Sequence, residues 1–307
     1  MPIGRCCKIP RTRIVCLVFH VFLIALTAGH AYGQGVSAPV ENPTALLNLA
    51  RLDADAGRLD RAISNYERSL AIIDGPLPPG VNGATAAQWK ALAPVAKLNL
   101  GLLYAAKGID FFQADNLDEA ISSFRTSLEW NPYSRDIRYN LCQAMYIRAA
   151  RFKDQGRPAA ELAALYGDIV KEATRVRDAD PGNLNLRLIL AYSHRNVGDE
   201  NSAAAVFAEN ADFPFEVNDV RMDVEATGTR LSGVVKNLKL TQGDPVRLRI
   251  TLIALNGAAT ASSDVEVPAP PINQGTTFAV SVKAGPGESD VAGWRYEVLN
   301  SPPVKPR

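Results

Sequence analysis

Few side chains in this sequence could carry out chemistry, and their spacing decides what is open to them. Histidine is the commonest general base and metal ligand, and the chain has three: His20, His30 and His194. Cysteine occurs as Cys6, Cys7, Cys16 and Cys142. All but His194 and Cys142 fall in the leader-like N-terminus. One histidine and one cysteine cannot build a zinc site of the usual Cys/His kind within one chain. A Ser-His-Asp arrangement could be drawn only around His194, and no nucleophile-elbow motif accompanies it. His194 sits where a packing residue is expected. Cys142 lies beside Leu141 and Met145 on an apolar stripe, which suits a small buried hydrophobe better than a nucleophile. Three carboxylate pairs remain: Asp53 with Asp55, Asp118 with Glu119, and Asp199 with Glu200. Paired carboxylates are what glycoside hydrolysis needs. Each pair lies near a helix end, where acids favour the positive pole or stay solvated. None sits in an apolar run that would raise its pKa. Gly228, Gly233 and Gly243 are spaced for strand turns and not for a phosphate-cradling loop. No catalytic residue, cofactor or metal site is expected.

The elements around these residues begin after a leader. Arg5, Lys8, Arg11 and Arg13 form a positive cluster, and Ile14 to Ala28 is an apolar run broken only by His20 and Thr27. Ala31-Tyr32-Gly33 before Gln34 fits a small-x-small cleavage site. This order is that of a secretory signal peptide over 1–33. The alternative is an uncleaved anchor, although the run is shorter than the ~20 residues a spanning helix needs. Export, with a periplasmic destination, is the expectation. The whole chain has 33 basic and 32 acidic residues. Without the four leader cations the balance is 29 against 32, which argues against a nucleic-acid partner. Membrane contact would come only through an uncleaved leader. With only Cys142 left, no intramolecular disulfide can form in the exported chain.

The most informative stretch is Leu98–Pro132. Gly101, Tyr104 and Gly108 share one helical face, and Ala120, Phe124, Leu128 and Pro132 share another. Asn116-Leu117-Asp118-Glu119 between them has the form of a capping box, and Pro132 stops the second helix. Small residues stand where two helices must approach closely. The hairpin resembles a tetratricopeptide repeat (TPR), with a two-turn extension of its first helix. Related pairs flank it. Asn42-Pro43 opens a first helix, and Ala62, Tyr66 and Leu70 line its partner. Ser134 or Tyr133 opens a third unit, whose partner helix spans Ala159 to Ala179. Ala191, His194, Gly198, Ala203 and Phe207 mark a fourth. Four units exceed the roughly three that a stable array needs, so 40–212 is expected to be a TPR-like α-helical solenoid.

After Phe213-Pro214-Phe215 the period changes from helical to alternating. Six segments, starting near Val217, Arg230, Val246, Ala261, Thr276 and Asp290, read as strands separated by turns. Asn256-Gly257 is a hairpin signal. Residues 216–300 are expected to form a small antiparallel β-sandwich, and 301–307 a loose tail. The order resembles bacterial envelope sandwiches of the FxLYD type. The residues concerned are Gly233 to Asn237, Arg247 to Leu255, Gly275 with Phe278, Val280 and Val282, and Trp294-Arg295-Tyr296. The fold class is therefore multidomain, α then β. Each half has length enough to fold alone, the β half acting as cap, spacer or second contact.

The TPR resemblance implies that the first helix of each pair lines a groove. One and four positions beyond the small residue of that helix would face it: Gln143 and Tyr146, with Tyr139 one turn earlier, then Tyr192 and Arg195, and Arg51 in the first unit. Tyrosine and arginine are enriched at binding hot spots. The expected function is non-catalytic binding or scaffolding of an envelope protein or peptide. The alternative is an accessory or carboxylate-dependent enzyme acting on a cell-wall or carbohydrate substrate.

Overall fold

The computed structural model describes residues 41–225, 228–283 and 291–300. The expected leader and the tail lie outside the described residues. Eight helices come first: α1 (Pro43–Asp55), α2 (Leu59–Asp74), α3 (Gly83–Gln113), α4 (Leu117–Trp130), α5 (Arg135–Asp154), α6 (Ala159–Ala179), α7 (Leu184–Asn196) and α8 (Glu200–Asp212). Six strands follow: β1 (Phe215–Glu225), β2 (Gly228–Asn237), β3 (Pro245–Ala254), β4 (Ala259–Pro268), β5 (Gly275–Val282) and β6 (Val291–Asn300).

Local sequence starts the helices. The Asn42 side chain accepts from Thr44 N at 2.9 Å, and Pro43 takes the first helical position, where its missing N–H is not needed. Asn82, Asn183 and Asp199 cap α3, α7 and α8 in the same way. Asn116 departs from the capping box. It precedes α4, but its side chain makes no capping bond. The α3–α4 turn is closed by backbone instead, with Asn116 N donating to Phe111 O at 2.9 Å and Asp115 at φ +63°. Asp118 and Glu119 still lie in the first turn, where the dipole favours them.

The helices pack as four consecutive hairpins, and each second helix also packs on the next first helix. Ala62, Ala120 and Ala203 are fully buried where hairpin partners touch. A Cβ at Gly108 would stand 2.6 Å from the Phe124 ring, so only glycine lets α3 and α4 come this close. The extension of the first helix in this unit is real, since α3 runs for 31 residues to Gln113. It continues through Pro94, which cannot donate its backbone hydrogen bond. Burial of Ala93, Ala96 and Leu100 beside Ile63 and Leu70 of α2 holds the helix together there.

The strands form two antiparallel three-stranded sheets, ordered β1-β2-β5 and β4-β3-β6. Alternation sends Leu231 and Val235 of one sheet, and Leu248, Ile250 and Leu252 of the other, into one shared apolar cluster. Gly257, at φ +87°, turns the β3–β4 hairpin, as Asn256-Gly257 predicts. Asn237 is buried at the end of β2. Its amide donates to Leu240 O and Pro270 O, and its oxygen accepts from Lys239 N and Leu240 N.

Candidate functional site

The groove residues expected from sequence lie on α1, α5 and α7. The α5 and α7 members come together because these two helices pack on each other. Gln143 Nε2 donates to Tyr139 OH at 2.9 Å, tying two of them into one turn of α5. Tyr146 packs edge-on to Tyr166 of α6, with ring centroids 6.1 Å apart. Burial raises the Tyr146 phenol above its ordinary pKa, and nearby Tyr192 of α7 adds to the shift. Tyr192 is exposed and packs edge-on to Phe207 of α8 at 5.2 Å. Arg195 lies 5.1 Å over the same Phe207 ring, with Nε 3.4 Å from Glu200. Arg51 stands exposed on α1 and is separated from α5 by the whole second hairpin. Five of the six residues therefore form one cluster, and Arg51 lies apart. Tyr139 and Tyr146 are half-buried and also pack against the apolar clusters under α5.

Repeat register picks out two exposed apolar residues, Leu102 on α3 and Leu188 beside Tyr192 on α7. Leu102 follows Gly101 as Tyr192 follows Ala191, and Leu188 lies one turn before Tyr192 on the same face of α7. They are 40% and 36% exposed, against near-complete burial of Leu100 and Leu190 beside them. The register that places Tyr192 also points to Leu102; composition alone marks both leucines as ordinary core.

The chemistry-bearing residues serve structure. Cys142 is buried, and desolvation pushes its thiol up to about 12. His194 Nδ1 lies 3.3 Å from Asp199, whose carboxylate also caps α8. Asp53 is buried and not solvated as its helix-end position suggests: it accepts from Arg58 Nε at 2.7 Å and Asn65 at 3.1 Å. Asp118 pairs with Arg148 at 2.6 Å. The three carboxylate pairs thus stay on separate helix ends. Among the described residues no group of three or more His, Cys, Asp or Glu could hold a metal ion. A cleft of about 390 Å³ lies between α4, α5 and α6, rimmed by Arg125, Arg138, Lys171 and Arg175. Its cations already pair with Asp168 and Glu172.

A buried polar cluster at the boundary of the two halves has no counterpart in the sequence expectations. The turns Asn131–Ser134 and Asp180–Asn183 meet β6. Asp180 is 1% exposed and pairs with Arg135. It accepts from Asn183 Nδ2 as well and lies beside Tyr296 of β6, whose hydroxyl accepts from Gly182 N at 2.6 Å. The Arg135 guanidinium lies 4.2 Å over the Trp294 ring, and Asn131 Nδ2 donates to Ala292 O at 2.8 Å. Arg187 of α7 lies 4.3 Å over Phe213, and burial lowers its guanidinium pKa. Charges this buried persist only when paired. The β half is therefore more than a spacer, because it supplies hydrogen-bond partners that the helical turns need.

No family model matches the sequence, and a search of curated proteins finds no match. Among solved structures, a point mutant of MamA aligns at 17% identity and a TM-score of 0.29, over 56% of this chain and 97% of that one. YrrB, described as a TPR protein with an unusual peptide-binding site, aligns at 14% identity and a TM-score of 0.30, over 56% and 86%. Another MamA structure aligns at 15% identity and a TM-score of 0.30, over 55% and 90%.

Proposed function

We propose that this chain is an exported, non-catalytic scaffold of the bacterial envelope. The leader at 1–33 is removed, the helical array is of the TPR kind, and the two sheets face each other as a sandwich of the FxLYD type. A peptide or protein segment lies along α5 and α7. The observation that carries this is the convergence of Tyr139, Gln143, Tyr146, Tyr192 and Arg195 on two packed helices, next to exposed Leu188. Aromatic rings with polar ends beside open aliphatic surface are the composition of a recognition hot spot.

The test pans a displayed peptide library on the purified chain and titrates the enriched peptides. Tyr146→Ala combined with Tyr192→Ala is expected to weaken binding by more than ~1 kcal/mol, about fivefold or greater. Circular dichroism should be retained. Unchanged affinity in the double variant would move recognition to another surface and overturn the groove assignment.

A further inference from the structure

The first helix carries the face of an internal repeat at the end of the stack. The small residues Ala50, Gly101, Cys142 and Ala191 align the four first helices. One position before them stand Leu49, Leu100, Leu141 and Leu190. The last three are 0%, 2% and 0% exposed, and Leu49 is 51% exposed. Two positions after stand Leu52, Leu103, Ala144 and Ser193. Again the last three are buried, at 6%, 0% and 0%, and Leu52 is 55% exposed. Five positions before, Ala96, Ile137 and Leu186 are buried, and Ala45 is exposed. In the later units the preceding second helix covers this face. Nothing among the described residues precedes α1 to do so. Terminal repeats ordinarily turn a polar face outward, and α1 turns out leucines.

The opposite end supplies the matching surface. Ala62, Ala120 and Ala203 align α2, α4 and α8. One and eight positions later α2 has Ile63 and Leu70, and α4 has Ile121 and Leu128, all buried. The equivalents on α8 are Ala204 and Ala211, both exposed, with exposed Ala208 on the same face. This outward surface is apolar and low, bounded at its start by Glu200 and at its end by Asp212, where Lys239 of the β half donates to Ala211 O, and the side chains of Ala204, Ala208 and Ala211 stay exposed. The two faces left uncovered are the two halves of the joint that α2–α3, α4–α5 and α6–α7 each make within the chain.

We propose that the chain self-associates head to tail, with α8 of one copy seated on Ala45, Leu49 and Leu52 of the next. The contact continues an existing series of joints and needs no new packing geometry. It is heterologous, so it leaves one free end at each terminus and permits growth beyond a dimer. One helix on one helix is smaller than a standard stable interface, so association should be weak and concentration-dependent.

Sedimentation velocity of the purified chain from about 1 to 500 µM tests this, since weak interfaces dissociate within that range. The expected result is a weight-average mass that rises with concentration past that of a dimer. Leu49→Lys with Leu52→Lys, and separately Ala204→Arg with Ala208→Arg, should each raise the midpoint at least tenfold. All four positions are exposed, so circular dichroism should not change. Leu49→Gln with Leu52→Gln replaces the lysine pair if that variant misfolds. Mixing the α1-end and α8-end variants should restore one joint and stop at a dimer. A chain that stays monomeric throughout overturns the proposal. So does association sensitive to the leucine changes alone, which would indicate two-fold pairing of α1 with α1. So does a mixture of the two variants that remains monomeric.

Discussion

Tyr296→Phe probes the buried joint while leaving its packing in place. The ring is 2% exposed and stacks near Trp294 with centroids 6.2 Å apart, and phenylalanine keeps that shape. Only the hydroxyl is lost. Gly182 N then loses its 2.6 Å acceptor, beside an Asp180 whose Oδ1 has no hydrogen-bond partner. An unsatisfied buried polar group costs about 1–3 kcal/mol, which is the expected loss from the orphaned Gly182 N. For a chain of this size that is a drop in Tm of roughly 2–10 °C. Urea denaturation is followed by circular dichroism at 222 nm for the helices and, in a Trp89→Phe/Trp130→Phe background, by the fluorescence of Trp294 for the β half. The wild type should give coincident transitions, because the helical turns and β6 share one ionic cluster. Asp180→Asn removes the charge paired with Arg135 in the same cluster, so its effect should couple to that of Tyr296→Phe. A loss below about 0.5 kcal/mol would show that the hydroxyl contributes nothing at the joint. Separate transitions for helices and strands in the wild type would refute the coupling itself.

Two further outcomes are checkable. Gly108→Ala places a Cβ 2.6 Å from Phe124 and should destabilise the chain by about 1–3 kcal/mol, read from the urea midpoint, whereas Gly167→Ala, with open space around it, should not. Mass spectrometry of the exported chain should find a new N-terminus between Ala28 and Gln34, and a chain still carrying Arg5 to Arg13 would refute processing.

Local and periodic information settles much of this molecule in advance. The 3.6-residue stripes that place Ala62, Ala120 and Ala203 between helices come from spacing alone, and all three are buried. The α6 boundaries, the cap at Asn42 and the turn at Asn256-Gly257 follow from side chains a few residues apart. Register also ranks Tyr139, Gln143, Tyr146, Tyr192 and Arg195 as neighbours, because repeats reuse one geometry. Asp180, Arg135 and Tyr296 are different. In sequence they are separated by up to 161 positions, and no local pattern links them. Their roles arise only when two turns of the array meet β6, since burial is a property of the assembled fold. The exposure of Leu49 and Leu52 is likewise invisible locally. They share a repeat position with Leu100 and Leu103, and only the absence of a covering helix among the described residues sets them apart.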